Sequence, residues 1–200
     1  MADISAGVVR ELRDKTGAGM MDCKKALAES DGDLEKAVDY LRTKGLAGAA
    51  KKAGRATQEG LIFAYIHSGS RVGVMVEVNC ESDFVARTPD FVELCKDLAM
   101  QVAATNPVSV RREEFDPELL ERELGIFRGQ AAESGKPAPI VEKMVQGRVE
   151  KLYKERVLLE QPFVKDPDRS VEERVKAAIA KLGENIVVRR FVRYQLGEEA

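Results

Sequence analysis

Apolar residues in the first 45 positions recur at helical intervals. Ile4, Val8 and Leu12 step by four around Ser5, whose hydroxyl is suited to capping a helix. Thr16-Gly17-Ala18-Gly19 interrupts the pattern, because glycine frees the backbone for a tight turn. A second helix is predicted from about Met21 to Glu29. After Asp31-Gly32-Asp33 comes a third stripe, Leu34, Ala37, Val38 and Leu41, with Asp33 as its cap and Gly45 as its end. Residues 1–45 read as a three-helix domain close to the lower size limit for a stable core.

Residues 46–59 are rich in Ala, Gly and Lys and read as a linker, helical in part, with a composition shift at Gly60. Beyond it the period changes. Leu61 to Ile66 is apolar on both faces, and His67-Ser68-Gly69-Ser70 supplies a turn. Val72, Val74, Val76 and Val78 then alternate with Gly73, Met75, Glu77 and Asn79 to give one valine face of a hairpin. Pro89 opens the strongest helical stripe of the chain: Phe91, Leu94, Cys95, Leu98 and Val102. Two charged helices within about 116–153, split by Ser134-Gly135-Lys136-Pro137, predict a helical hairpin. Pro167 predicts a turn, and Val171, Val175, Ile179 and Leu182 predict a helix behind Ser170. The segment from Glu184 to Tyr194 has a strand pattern studded with arginines and is placed as a third strand on the hairpin. The fold class is therefore α+β: an N-terminal three-helix domain, then a core at 60–200 in which a small antiparallel sheet packs with helices.

Composition narrows the functions. The chain has 200 residues and a formal net charge of −2, whereas a nucleic-acid binder usually carries a basic excess, so no direct nucleic-acid partner is expected. No apolar run approaches the ~20 residues that span a bilayer, and the start lacks the pattern of a signal peptide, so the expected location is the cytoplasm, with no membrane partner. Cys23, Cys80 and Cys95 lack CxxC spacing, and the single histidine, His67, has no cysteine beside it. No disulfide framework or metal site is expected, and the bland reading of His67 is a turn residue. No phosphate loop, dinucleotide fingerprint or nucleophile elbow appears. Gly17-Ala18-Gly19 precedes a helix, but it joins helix to helix and lacks the Lys-Ser/Thr of a phosphate loop. With no cofactor and no enzymatic site expected, a binding protein is favoured.

The most informative stretch is Asn79-Cys80-Glu81-Ser82-Asp83-Phe84-Val85-Ala86-Arg87, between the valine strand and the strongest helix. It puts an acid and a large ring, Asp83 and Phe84, at the exit of a rigid element. Phenylalanine is usually buried, so the residues alone favour a ring tucked into its own core. The wording of the stretch changes that. Together with Thr16-Gly17-Ala18-Gly19-Met20-Met21-Asp22-Cys23-Lys24-Lys25-Ala26-Leu27 it resembles the elongation factor Ts family, the nucleotide exchange factors of bacterial translation. Ser134-Gly135-Lys136-Pro137, Gln161-Pro162-Phe163-Val164, and Gly183-Glu184-Asn185-Ile186 followed by Arg189-Arg190 extend the resemblance in order along almost the whole chain.

The resemblance implies a ubiquitin-associated-like N-terminal domain and a partner, the GTPase elongation factor Tu. It implies that Phe84 enters between two helices of the GTPase domain while Asp83 disturbs the contacts supporting its Mg²⁺ site. Met20 and Met21 offer a soft apolar contact to the same partner, although at least one is expected to fill the small domain's own core. Lys24 is placed to pair with an acid on the partner, or else is simply solvated. His67 is marked as a contact at the surface of a second lobe. Longer members of the family have two lobes; this chain has one hairpin and resembles the short form, for which a homodimer is expected. The hairpin and the arginine-studded last strand are the candidate dimer contacts. Two other readings fit parts of the chain: a ubiquitin-associated-type module that binds another protein, and an RNA-binding translation protein using the basic linker and Arg189, Arg190 and Arg193.

Overall fold

The computed structural model describes residues 4–198. The elements run α1 (Ala6–Thr16), α2 (Met20–Glu29), α3 (Leu34–Lys52), β1 (Glu59–Ile66), β2 (Val72–Cys80), α4 (Asp83–Ala86), α5 (Pro89–Thr105), α6 (Pro117–Ala132), α7 (Ala138–Arg156), β3 (Pro162–Phe163), β4 (Asp166–Ser170), α8 (Val171–Leu182) and β5 (Ile186–Gln195). The class is α+β with small antiparallel sheets, as the period changes predicted. One sheet has the order β1-β2-β5, so the last strand does join the hairpin; β3 and β4 form a separate pair. The chain divides into two compact units: the residues up to Leu61 with Val78–Leu94 and Glu173–Val187, and Ile62–Glu77 with Cys95–Glu172 and the residues from Val188 on.

The first unit contains the three-helix module. Ser5 accepts from the Val8 N–H, Asp33 accepts from those of Glu35 and Lys36, and Gly17 ends α1 at φ +68°, where a side chain would be strained. Val9, Leu12, Cys23, Ala26, Leu27 and Ala37 form the module's core, with Ile4, Val8, Leu34, Val38 and Leu41 packed around it. Gly45 does not end the third helix. α3 continues to Lys52, so much of the expected linker is helical. The reason is local and tertiary together. Leu46 to Lys52 are mostly strong helix formers, and Gly45 lies against Ala180 of α8, 3.4 Å from where a Cβ would stand. Arg42 pairs with Glu173, and Lys181 reaches both Gly17 and Asp90. The module is thus packed within its unit rather than tethered to it. Gly60, read from composition as a boundary, sits inside β1 at φ +146°, with the Val78 carbonyl so close that a Cβ would fall 2.1 Å from its oxygen.

The second unit holds most of the sheet. His67 N–H donates to the Val72 carbonyl across the β1–β2 turn. Leu196 N–H donates to the Arg71 carbonyl, and Arg190 pairs with Glu77 at 2.7 Å, so β5 runs antiparallel to β2. Val74 and Val76 point into the core, as their alternation predicted. So do Cys95, Leu98 and Val102 of α5. The buried Gln101 amide donates to Gln161 and to the Pro162 carbonyl and accepts from the Val164 N–H, fastening β3 to α5. Pro167 lies within β4 rather than in a turn; a two-stranded pair leaves an edge where the missing N–H costs nothing. The helical hairpin α6–α7 forms as expected. Arg112 pairs with Glu150 and Glu160 and lies over the Tyr153 ring, and those two carboxylates push its pKa above the usual guanidinium range.

Candidate partner-binding site

The Asp83-Phe84 stretch is one turn of helix, α4, not an open loop. Ser82 caps it by accepting from the Val85 N–H at 3.4 Å, and the Arg87 N–H closes the turn on the Asp83 carbonyl. Thr88 then bridges to α5: its hydroxyl donates to the Val85 carbonyl and accepts from the Phe91 N–H. Ala86 is buried beneath the turn, while Phe84 is 81% exposed. The ring is not tucked into the chain's own core. A four-residue helix held at both ends thus carries a bare aromatic ring, which costs solvation unless something covers it. Asp83 is half-buried and pairs with Arg87 at 2.9 Å.

Just before the turn, Cys80 is fully buried, and its thiol donates to the Ser82 carbonyl. Burial pushes its pKa up to about 11, with the Glu184 carboxylate adding to the shift. A thiol so placed stays protonated at neutral pH and is no nucleophile. Cys23 and Cys95 are buried as well. Among the described residues no group of His, Cys, Asp and Glu could hold a metal ion, and no helix is long and apolar enough to cross a membrane.

The other predicted residues fall in two places. Met20, Met21 and Lys24 are on α2, in the same unit as Asp83 and Phe84. Both methionines are exposed, Met21 at 77%, because Cys23, Ala26 and Leu27 fill the module's core without them; the expectation that one is buried fails. Lys24 is also exposed. Its neighbour Asp22 holds Lys44 of α3 at 2.5 Å, and this pairing raises the Lys44 pKa. His67 is in the other unit, exposed on the β1–β2 turn, with Nδ1 2.9 Å from the Tyr65 hydroxyl. Sequence reasoning missed the residues that hold α4. Glu184 accepts from the Glu81 and Ser82 N–H groups across about a hundred positions of chain, which no local pattern reveals. The only signal was that Glu184 belongs to one of the strings carrying the resemblance.

Fold and site together define an α+β protein that carries a bare aromatic ring on a short, capped helical turn. Residues 49–198 match the family described as Elongation factor TS. Proteins named Elongation factor Ts from Heliobacterium modesticaldum and Desulforamulus reducens are 62% and 61% identical, over 98% and 99% of this chain and 91% of each relative. One from Moorella thermoacetica is 60% identical, over 98% of this chain and 96% of the relative. The chain belongs to the elongation factor Ts family.

Proposed function

We propose that the protein is the guanine-nucleotide exchange factor for elongation factor Tu, acting in the cytoplasm without catalysing any covalent step. The observation that carries this is Phe84, 81% exposed on a turn capped at both ends. A GTPase holds GDP through loop amides, a lysine and Mg²⁺ around the phosphates. A factor that binds the GTPase best in a form that holds nucleotide badly lowers the affinity for nucleotide by the same factor that nucleotide lowers its own. Phe84 entering between two helices of the GTPase domain, with Asp83 competing for polar contacts near the metal, provides that difference. Met20, Met21 and Lys24 on the ubiquitin-associated-like module act as a second anchor for the same partner, and His67 as a further contact.

The protein works as a homodimer joined through the outer face of its three-stranded sheet. Ile62 and Ile66 on β1, Met75 on β2, and Val192 and Tyr194 on β5 lie on that face, each more than a third exposed. An exposed apolar patch on a sheet, bordered here by the Arg190–Glu77 ion pair, favours a self-complementary contact with a second copy. The test of the main reading is release of a fluorescent GDP analogue from elongation factor Tu with and without the wild-type chain. Acceleration supports the reading; an unchanged rate refutes it.

A further inference from the structure

The turn that carries Phe84 is too short to hold its own shape. One helical turn fixes several dihedrals for a single hydrogen bond and is unstable alone. Beyond the Ser82 cap and the Thr88 bridge, it is supported by two glutamates that reach past each other. The Glu184 carboxylate accepts from the Glu81 N–H at 3.1 Å, the Ser82 N–H at 3.0 Å and the Ser82 hydroxyl at 2.5 Å. The Glu81 carboxylate accepts in return from the Asn185 N–H at 2.6 Å and faces Arg55 at 3.4 Å. Asn185 is buried, and its side-chain amide donates to the Arg55 carbonyl at 2.9 Å and to that of Ala53. The segment after α8, the entry to α4 and the segment after α3 therefore meet in one set of hydrogen bonds. All three lie in the same unit.

We infer that Glu184, crossed with Glu81, is a positioning residue for nucleotide exchange: it fixes the angle at which α4 presents Phe84. This rests on the exchange function proposed above. Three bonds to one carboxylate are charge-assisted and stronger than neutral ones. They also satisfy the two N–H groups that precede the helix, which would otherwise be left without partners. Glu184 touches no reacting group and acts only through the turn. Removing it leaves Phe84 in place chemically but free to adopt other orientations, so binding energy goes to ordering the wedge instead of to displacing the partner's helices. The tie to Ala53 and Arg55 extends the same frame to the end of α3, so that wedge and N-terminal module are presented together.

The test uses the full chain as wild type, Glu184→Ala, Glu184→Gln, Phe84→Ala and the double variant Glu184→Ala/Phe84→Ala, assayed by GDP release from elongation factor Tu over a range of factor concentrations. Glu184→Ala is expected to lower the maximal rate tenfold or more while the half-saturating concentration moves less than threefold, because the module still binds. Glu184→Gln should recover most of the rate. Its amide oxygen can accept from both N–H groups, and its NH₂ can donate to the Ser82 hydroxyl. In the Phe84→Ala background, Glu184→Ala should have no further effect, since both changes remove the same presented ring. Equal losses in both backgrounds would overturn the proposal, as would an unchanged maximal rate in Glu184→Ala. Amide hydrogen exchange of the peptide spanning residues 80–88 gives a readout that needs no partner. Glu184→Ala should speed it at least tenfold with the three-helix module unchanged. If wild type fails to accelerate GDP release, the exchange reading falls by itself, and the positioning of the turn is decided by this measurement: faster exchange confined to the turn sustains it, and unaltered exchange rejects it.

Discussion

Phe84 and Cys80 lie four residues apart and answer to opposite rules. The ring at 81% exposure contributes little to the fold. Phe84→Ala should therefore leave the thermal midpoint almost unchanged, as surface substitutions do within about 0.5 kcal/mol. It should cost tenfold or more in GDP release, since an aromatic anchor is typically worth ~2 kcal/mol or more at an interface. Parallel melting and exchange assays on one preparation check both halves. Cys80 is the reverse case, buried and without access to a partner. Its folded pKa is raised from the ordinary 9.0 to about 11. The folded state therefore keeps a proton that the unfolded state gives up. The resulting stability is complete below about pH 9 and is lost as pH rises towards about 11. Denaturation midpoints followed from about pH 8 upward should fall across that window. In Cys80→Ser, which can keep the bond to the Ser82 carbonyl but does not titrate there, the fall should be shallower. Cys23, whose thiol is also shifted up by burial, leaves part of the slope in place.

Two glycines separate the elements that a reading of local pattern confuses. Gly48 sits inside α3 with no atom within 4 Å of where a Cβ would stand. Gly48→Ala should stabilise the protein by about 0.5–1 kcal/mol, the usual helix-interior difference between the two residues. No gain in denaturant midpoint would mean that the helix ends near Gly45 after all. Gly60→Ala should act in the opposite direction, by ~2 kcal/mol or more, because its φ of +146° is closed to side chains and its Cβ would overlap the Val78 carbonyl. The contrast is informative because both positions fall in or beside a stretch that composition alone marks as linker. Composition reports the absence of a stripe of large apolar residues. It does not report that Ala180 is waiting for Gly45, or that a strand needs its neighbour's carbonyl within reach.

For the whole molecule the question is what covers the sheet. Its inner face is filled by Val74 and Val76, while Met75 between them is 48% exposed beside equally bare residues of β1 and β5. Sedimentation at micromolar concentration should give a mass near twice 22.1 kDa. Met75→Glu, which places a charge in the middle of the apolar face, should shift the population to monomer with unchanged helix content. A wild-type chain that sediments as a monomer would leave the exposed face unexplained and remove the dimer from the proposed function.

Periodicity was enough for most of the elements. The stripes of α1, α5 and α8 and the valine alternation of β2 are physical requirements of one buried face, so they are visible without a structure. The strings around Asp83 and Met20 were enough for the family. Local pattern tucked Phe84 into the core and the family wording put it outside; the tertiary structure leaves it 81% exposed, because burial of a ring depends on neighbours distant in the chain. It also decided that both methionines of α2 are bare, since Leu12, Leu27 and the small residues of three helices had already closed the core. The helical course of residues 46–52 and the support of α4 by Glu184 belong to the same class. Both depend on residues more than a hundred positions away, Ala180 against Gly45 and Glu184 against Glu81. At such separations local sequence carries propensity but no information about what the fold will bring alongside.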